Sequence, residues 1–274
     1  MKIAVVGGTH GNEFTGVEVC KALEKSQQSY KNEYRTFIAN PMAHLKKLRY
    51  VDSDLNRAYS KTSSPLGNEK ERSDFLKAEI IGKFDFLIDL HTTTSNMGST
   101  LILTDTNPKT LNAACFIKQN FPHYKLIFAA SGDDPYYTTN LTKAGLTVEV
   151  GPIANNIVKA SLVLDNLDIV RALLNYDFQT EFNYAEFEVY SEIDKISYPE
   201  KEGYYIHPDL EGKDFEILKT GDPIFIDACK NTINFEYAGH ELVYPMFINE
   251  AAYLEKNIAF EICEKIKLSE VLGS

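Results

Sequence analysis

The chain has 274 residues with 28 Lys and Arg against 39 Asp and Glu, and its net charge of −11 argues against a nucleic-acid partner, which clustered cations would have to hold. The hydrophobic fraction of 44% is ordinary for a globular protein, and no run of about 18 apolar residues offers a membrane span. The four cysteines are scattered without a CxxC pair, and Met1 leads into an apolar run with no basic region or cleavage site, so a cytoplasmic protein with reduced thiols is expected, long enough for one large domain and a small one.

Lys2-Ile3-Ala4-Val5-Val6 is short, apolar and β-branched, and predicts a buried strand ended by Gly7-Gly8. His10 and Glu13 follow three residues apart, a spacing that can aim an imidazole and a carboxylate at one point even in a loop before a helix. Gly11 lets the backbone approach a neighbour closely. Imidazole plus carboxylate is a zinc or iron ligand set, and the carboxyl end of a strand is where open α/β sheets keep their chemistry. A phosphate-cradling turn is the alternative, but no Gly-Lys-Ser/Thr follows. On this stretch alone a structural His in a turn also stays open.

Residues 13–25 carry Phe14, Val17, Cys20, Ala22 and Leu23 at helical spacing. A strand at 34–39 and a short helix from Pro41 to about Leu48 follow, then a run at 49–57 too polar for a core strand, a loop at 60–68 and a charged helix at 69–81. The apolar run at 84–90 is a strand that delivers His91, and further strands are expected at 99–103, 125–129 and 146–150, with helices near 108–120 and 160–174. Such alternation implies a mostly parallel sheet covered on both faces. Near 177–184 the pattern changes to short strands at 186–193, 204–206, 223–228 and 232–235, separated by Gly, Pro and Asp turns, with a long helix expected only at 251–266. The boundaries that follow are an α/β domain over 1–183 and a β-rich domain over 184–274.

Asp89-Leu90-His91 puts a carboxylate and an imidazole two apart at a strand end, on one face, so that one can bind a metal while the other orients a neighbouring group. With His10 and Glu13 at another strand end, the set is two His and one Glu, the ligands of hydrolytic zinc sites that leave a fourth position for water. Glu149 lies inside the apolar run Thr147-Val148-Glu149-Val150, where an unpartnered acid costs several kcal/mol. It is therefore either ion-paired or functional, the functional reading being a general base for water. Arg49, Asn56 and Arg57 supply donors near the same sheet edge that could grip a carboxylate or steady an oxyanion.

Five blocks stand in order: Gly7-Gly-Thr-His10-Gly-Asn-Glu13-x-Thr-Gly, Arg49-Tyr-x-Asp-x-Asp-Leu-Asn56-Arg57, Asp89-Leu-His91-x-Thr-Thr-Ser-Asn-Met-Gly, Val148-Glu149-Val-Gly-Pro and Tyr244-Pro-x-Phe-x-Asn-Glu-Ala-Ala-Tyr253. On these, from the first strand to about Ala259, the chain resembles the succinylglutamate desuccinylase/aspartoacylase family, and within it the aspartoacylase branch. The resemblance implies a zinc-carboxypeptidase-like α/β domain with a β-rich domain covering the active site. It implies one zinc per chain held by His10, Glu13 and His91, Glu149 as the base, and Arg49 polarising the scissile carbonyl. Asn56 and Arg57 would receive the substrate carboxylate, with Tyr136 and Tyr253 as further substrate contacts. The implied reaction is deacetylation of N-acetyl-L-aspartate to acetate and L-aspartate, with deacylation of other N-acylamino acids as the alternative.

One position departs from the pattern. Where aspartoacylase carries Tyr-x-Thr-Thr-Arg, this chain has Tyr136-Tyr137-Thr138-Thr139-Asn140, one residue closer to the base strand. An arginine that recognises the acidic substrate is thus an asparagine, and Lys143 or Lys256 is the cation expected to compensate. A carboxypeptidase-type peptidase and a binding protein without catalysis are the readings from other classes. Retention of Glu149 speaks against the second. Homo-oligomerisation is left open by the sequence.

Overall fold

The computed structural model describes residues 1–130, 137–240 and 242–273. Strand β1 (Lys2–Gly7) is followed by α1 (Phe14–Lys25), β2 (Glu33–Ile38), α2 (Pro41–Lys46) and α3 (Gly67–Ile80). Then come β3 (Phe86–Thr92), β4 (Ser99–Leu103), α4 (Pro108–Asn120), β5 (Lys125–Phe128), β6 (Gly145–Val150) and α5 (Ala160–Asn175). The remainder is β7 (Glu188–Ser197), β8 (Tyr204–Ile206), β9 (Pro223–Asp227), β10 (Thr232–Asn234), β11 (Tyr244–Met246) and β12 (Ile258–Lys267).

Nine strands form one mixed sheet in the order β11-β12-β7-β5-β4-β6-β3-β1-β2, and β10-β9-β8 form a second, small sheet. In the large sheet β1 pairs in parallel with both β2 and β3, and β3 with β6, so the carboxyl ends of β1, β3 and β6 lie side by side. Alternate residues of β1 feed opposite faces. Ile3 and Val5 pack with Val19, Cys20 and Leu23 of α1 and with α4 and α5, while Ala4 and Val6 pack with Leu76 and Ile80 of α3. This is the helix-covered, largely parallel sheet that the strand–helix alternation predicts.

The C-terminal segment differs from the sequence reading. Instead of a helix over 251–266 there is one short 3-10 turn, Ala251–Lys256, and then the ten-residue strand β12. Asn257, in the left-handed conformation at φ 57°, stops the turn. Isoleucines at 258, 262 and 266 mimic a helical stripe, because a spacing of four also fits a strand's period of two, and pairing with the neighbouring strands settles the matter for the strand. β12 pairs antiparallel with both β7 and β11, so the C-terminal strands extend the large sheet rather than standing apart from it. A separate core of Ile206, Ile224, Phe225, Phe235, Phe260 and Ile262 joins β12 to the small sheet. Among the described residues no helix is long and apolar enough to cross a membrane.

Candidate active site

β1 ends where Gly8 turns the chain at φ 68°, a conformation that favours glycine. Gly11 then passes so close to α2 that an added Cβ would lie 2.2 Å from the Ala43 carbonyl carbon, and its N–H donates to Arg49 O at 2.9 Å. What Gly11 lets near is therefore the loop carrying Arg49. The close passage fixes His10 and Glu13, with Glu13 standing immediately before the first residue of α1.

The polar loop at 49–57 is held by a residue outside the predicted site. Glu69, fully buried on α3, accepts from Asn40 Nδ2, Val51 N and Asp52 N, each at 2.8 Å. Burial works against its charge, but these hydrogen bonds hold its carboxyl below the usual range.

His10, Glu13 and His91 are all buried and can each offer one ligand atom within 4.8 Å of the others. His10 Nδ1 lies 2.6 Å from Glu13 Oε1, and His91 Nδ1 lies 3.0 Å from Glu13 Oε2. The outer ring nitrogens are engaged elsewhere, His10 Nε2 with Asp54 Oδ1 at 3.2 Å and His91 Nε2 with Asp89 Oδ2 at 2.8 Å. Asp89 is steadied in turn by the Thr9 hydroxyl at 2.8 Å. Of the pair at the end of β3, then, His91 faces the cluster and Asp89 orients it.

If each Nε2 proton is donated to its aspartate, the two Nδ1 lone pairs point at the oxygens of Glu13. Acceptors facing acceptors need a proton or a cation between them, so the donor set fits a divalent ion such as zinc. The electrostatics show that the cluster attracts positive charge, whether proton or metal ion: burial opposes the charge on Glu13, yet the two imidazoles hold its carboxyl well below the usual range. Burial likewise disfavours the His91 cation, but Asp89 and Glu13 raise its pKa well above the ordinary value.

Glu149 sits on β6 directly across from His91 in the parallel register. Burial pushes its carboxyl well above the usual range, with Glu13 and Glu250 adding to the rise and His91 and Arg49 opposing it. Arg49 reaches in from the loop, 3.5 Å from Glu13 Oε1 and 3.6 Å from Asp54 Oδ2. Asn56 Oδ1 accepts from Thr138 N at 3.0 Å and from the Thr138 hydroxyl at 3.1 Å, which leaves its NH2 as the group it can offer to an anion. The Arg57 guanidinium lies 4.9 Å from the centre of the Tyr137 ring.

His10, Glu13, His91, Glu149, Arg49, Asn56 and Arg57, with Tyr253, Lys256 and Glu250 from the C-terminal segment, line one cavity of about 220 Å³. Tyr253 donates its hydroxyl to Glu261 Oε1 at 2.9 Å, and burial and that carboxylate push the phenol well above its ordinary pKa. Of the two candidate compensating cations, Lys256 lines the cavity and Lys143 does not. Asn140 accepts from Tyr137 N at 3.0 Å and closes its own turn. Tyr136 lies outside the described residues.

Two features escaped the sequence reading. Asp54 was visible only as one acid in a polar run, although an Asp beside an expected metal cluster could have been suspected of orienting a histidine. Glu250 accepts from the hydroxyl of Thr93, from Thr94 N at 2.8 Å and from Ser95 N at 3.3 Å, tying the turn after β3 to the C-terminal segment. No local pattern announces a partner 155 residues away in sequence.

Fold and donor set together define a zinc-carboxypeptidase-like α/β protein with a candidate His-Glu-His metal centre. The family model described as the succinylglutamate desuccinylase/aspartoacylase catalytic domain matches residues 1–176, and the AstE/AspA barrel-sandwich hybrid domain matches 185–265. The chain belongs to the succinylglutamate desuccinylase/aspartoacylase family. It is 35% identical to a probable aspartoacylase of Trichodesmium erythraeum, over 96% of this chain and 97% of that protein. It is 33% identical to an N-acyl-aromatic-L-amino acid amidohydrolase (carboxylate-forming) of Xenopus laevis, over 96% and 94% of the two chains. Murine aminoacylase 3 superposes with a TM-score of 0.86 at 31% identity, over 97% of this chain and 95% of that one.

Proposed function

We propose that this protein is a zinc-dependent amidohydrolase that releases the acyl group from N-acylamino acids, with N-acetyl-L-aspartate as the leading substrate. The observation that carries the reading is the convergence of three buried metal-ligand side chains, a buried carboxyl on the neighbouring strand and several cations on one small cavity. The names of the relatives support amide hydrolysis.

His10, Glu13 and His91 would hold a zinc ion, which would supply Lewis-acid polarisation and make the attacking water more acidic. Glu149 takes the proton of the attacking water and returns it to the amide nitrogen as the amine leaves, and burial suits it to holding that proton in between. Arg49 stabilises the oxyanion that develops on the scissile carbonyl. Asn56 and Arg57 hold the α-carboxylate, the guanidinium offering a bidentate grip. Tyr253 closes over the amino-acid portion, and Lys256 supplies the positive charge that Asn140 does not.

A cavity of about 220 Å³ is smaller than the roughly 300–1,000 Å³ common for drug-sized ligands, which argues against a peptidase. A second reading, deacylation of neutral N-acylamino acids, is favoured by the Asn140 side chain, which caps its own turn. The test is acetate release from a panel of N-acetylamino acids, with zinc content measured on the same sample. Glu149→Gln is expected to keep zinc and lose roughly 10²–10⁴ in kcat, whereas His91→Ala loses both zinc and turnover. Near-normal turnover in Glu149→Gln would mean that another group activates the water.

A further inference from the structure

Among the charged residues that line the cavity, Glu192, Lys195 and Glu261 have no part in the mechanism above. Glu261 on β12 pairs directly across from Lys195 on β7. Between the pairs Ile262–Asp194 and Cys263–Glu192 the register shifts, leaving Ile193 as an extra residue, a β-bulge. Three apart on a regular strand, Glu192 and Lys195 would point to opposite faces; the bulge brings both to the cavity. Lys195 Nζ donates to Glu192 Oε1 at 2.5 Å and to Glu261 Oε1 at 2.7 Å, and that second carboxyl also takes the Tyr253 hydroxyl. Glu261 is buried while the Lys195 side chain is 46% exposed, so a half-exposed lysine is held on a fixed, buried carboxylate.

One ammonium between two carboxylates leaves the trio with a formal charge of −1. An acidic substrate side chain nearing this wall meets a cation already engaged, backed by surplus negative charge. A neutral side chain meets no such barrier. Building on the N-acylamino acid reading, we propose that Glu192 and Glu261 are specificity-determining residues: by clasping Lys195 they withdraw it from substrate recognition and open the cavity to amino acids with uncharged side chains.

The test compares N-acetyl-L-aspartate with N-acetyl-L-leucine in the natural protein and in Glu192→Gln, Glu261→Gln and Glu192→Gln/Lys195→Met. Two readouts are taken: kcat/KM, and calorimetric affinity for both compounds in a Glu149→Gln background, where binding is separated from chemistry. Thermal unfolding midpoints check that each variant folds. Glu192→Gln, which leaves the Tyr253–Glu261 contact in place, is expected to raise the aspartate-over-leucine affinity ratio about three- to tenfold, the modest worth of a half-exposed ammonium in water. Glu261→Gln should move the ratio the same way, and the gain should vanish when Lys195→Met is added. A ratio unchanged or lowered in Glu192→Gln, or a gain that survives loss of Lys195, overturns the inference. If the natural protein hydrolyses neither compound, the amidohydrolase reading fails; if it hydrolyses them and the affinity ratio does not move, only the specificity role fails.

Discussion

At the scale of single residues, the candidate site is built from pairs in which one side chain orients another. His10 and His91 turn Nδ1 to the same carboxylate because Asp54 and Asp89 hold their other nitrogens. The sequence makes His10, Glu13, His91 and Glu149 legible, since strand ends, a spacing of three and an acid in an apolar strand are local patterns. It does not make Asp54 or Glu250 legible, because their roles depend on partners supplied by other elements. A buried carboxyl outside the site yields a pH prediction. Asp214 accepts from Ile248 N at 3.1 Å, but burial pushes its carboxyl up to about 6. The folded state therefore binds that proton more tightly than the unfolded chain, whose Asp has a pKa of about 3.9. The resulting stability is fully present below about pH 4 and is lost as pH rises through about 6, a difference on the order of 2–3 kcal/mol. Asp214→Asn is expected to flatten the unfolding midpoint between pH 4 and 7 and to raise stability at pH 7.5. An unaltered pH slope in urea titrations would show that the carboxyl ionises as it does in water.

At the scale of elements, the first 183 residues read well because strands and helices there have distinct periods. β1, β3 and β6 were each visible as short apolar runs, and their parallel pairing follows from the helices between them. The C-terminal segment read poorly for a physical reason: isoleucines four apart satisfy both a helix and a strand, and only long-range pairing with β7 and β11 decides. The bulge at Ile193 is illegible for the same reason, since it exists only in the register with β12. If β12 is a core strand, Phe260, fully buried between the two sheets, is irreplaceable in volume. Phe260→Ala is expected to cost about 3–5 kcal/mol in denaturant unfolding. A cost below about 1 kcal/mol, the range of exposed positions, would contradict its placement in that core.

At the scale of the whole molecule, an acidic protein encloses a cavity whose wall sets Arg49, Arg57 and Lys256 among acidic side chains. A chain of net charge −11 that takes an anionic substrate needs cations placed locally in the site. The sheet extension through β7, β12 and β11 is what brings Tyr253, Lys256 and Glu261 to a site otherwise assembled at the ends of β1, β3 and β6. Everything proposed for the chemistry depends on one ion lying among His10, Glu13 and His91. X-ray data collected on either side of the zinc absorption edge, from crystals grown without added metal, test this most directly. The account predicts a single anomalous peak bonded to Nδ1 of His10, Nδ1 of His91 and the Glu13 carboxylate, retained in Glu149→Gln and absent in His91→Ala. An active protein whose crystals show no peak among those three side chains, or a peak only elsewhere, would contradict it.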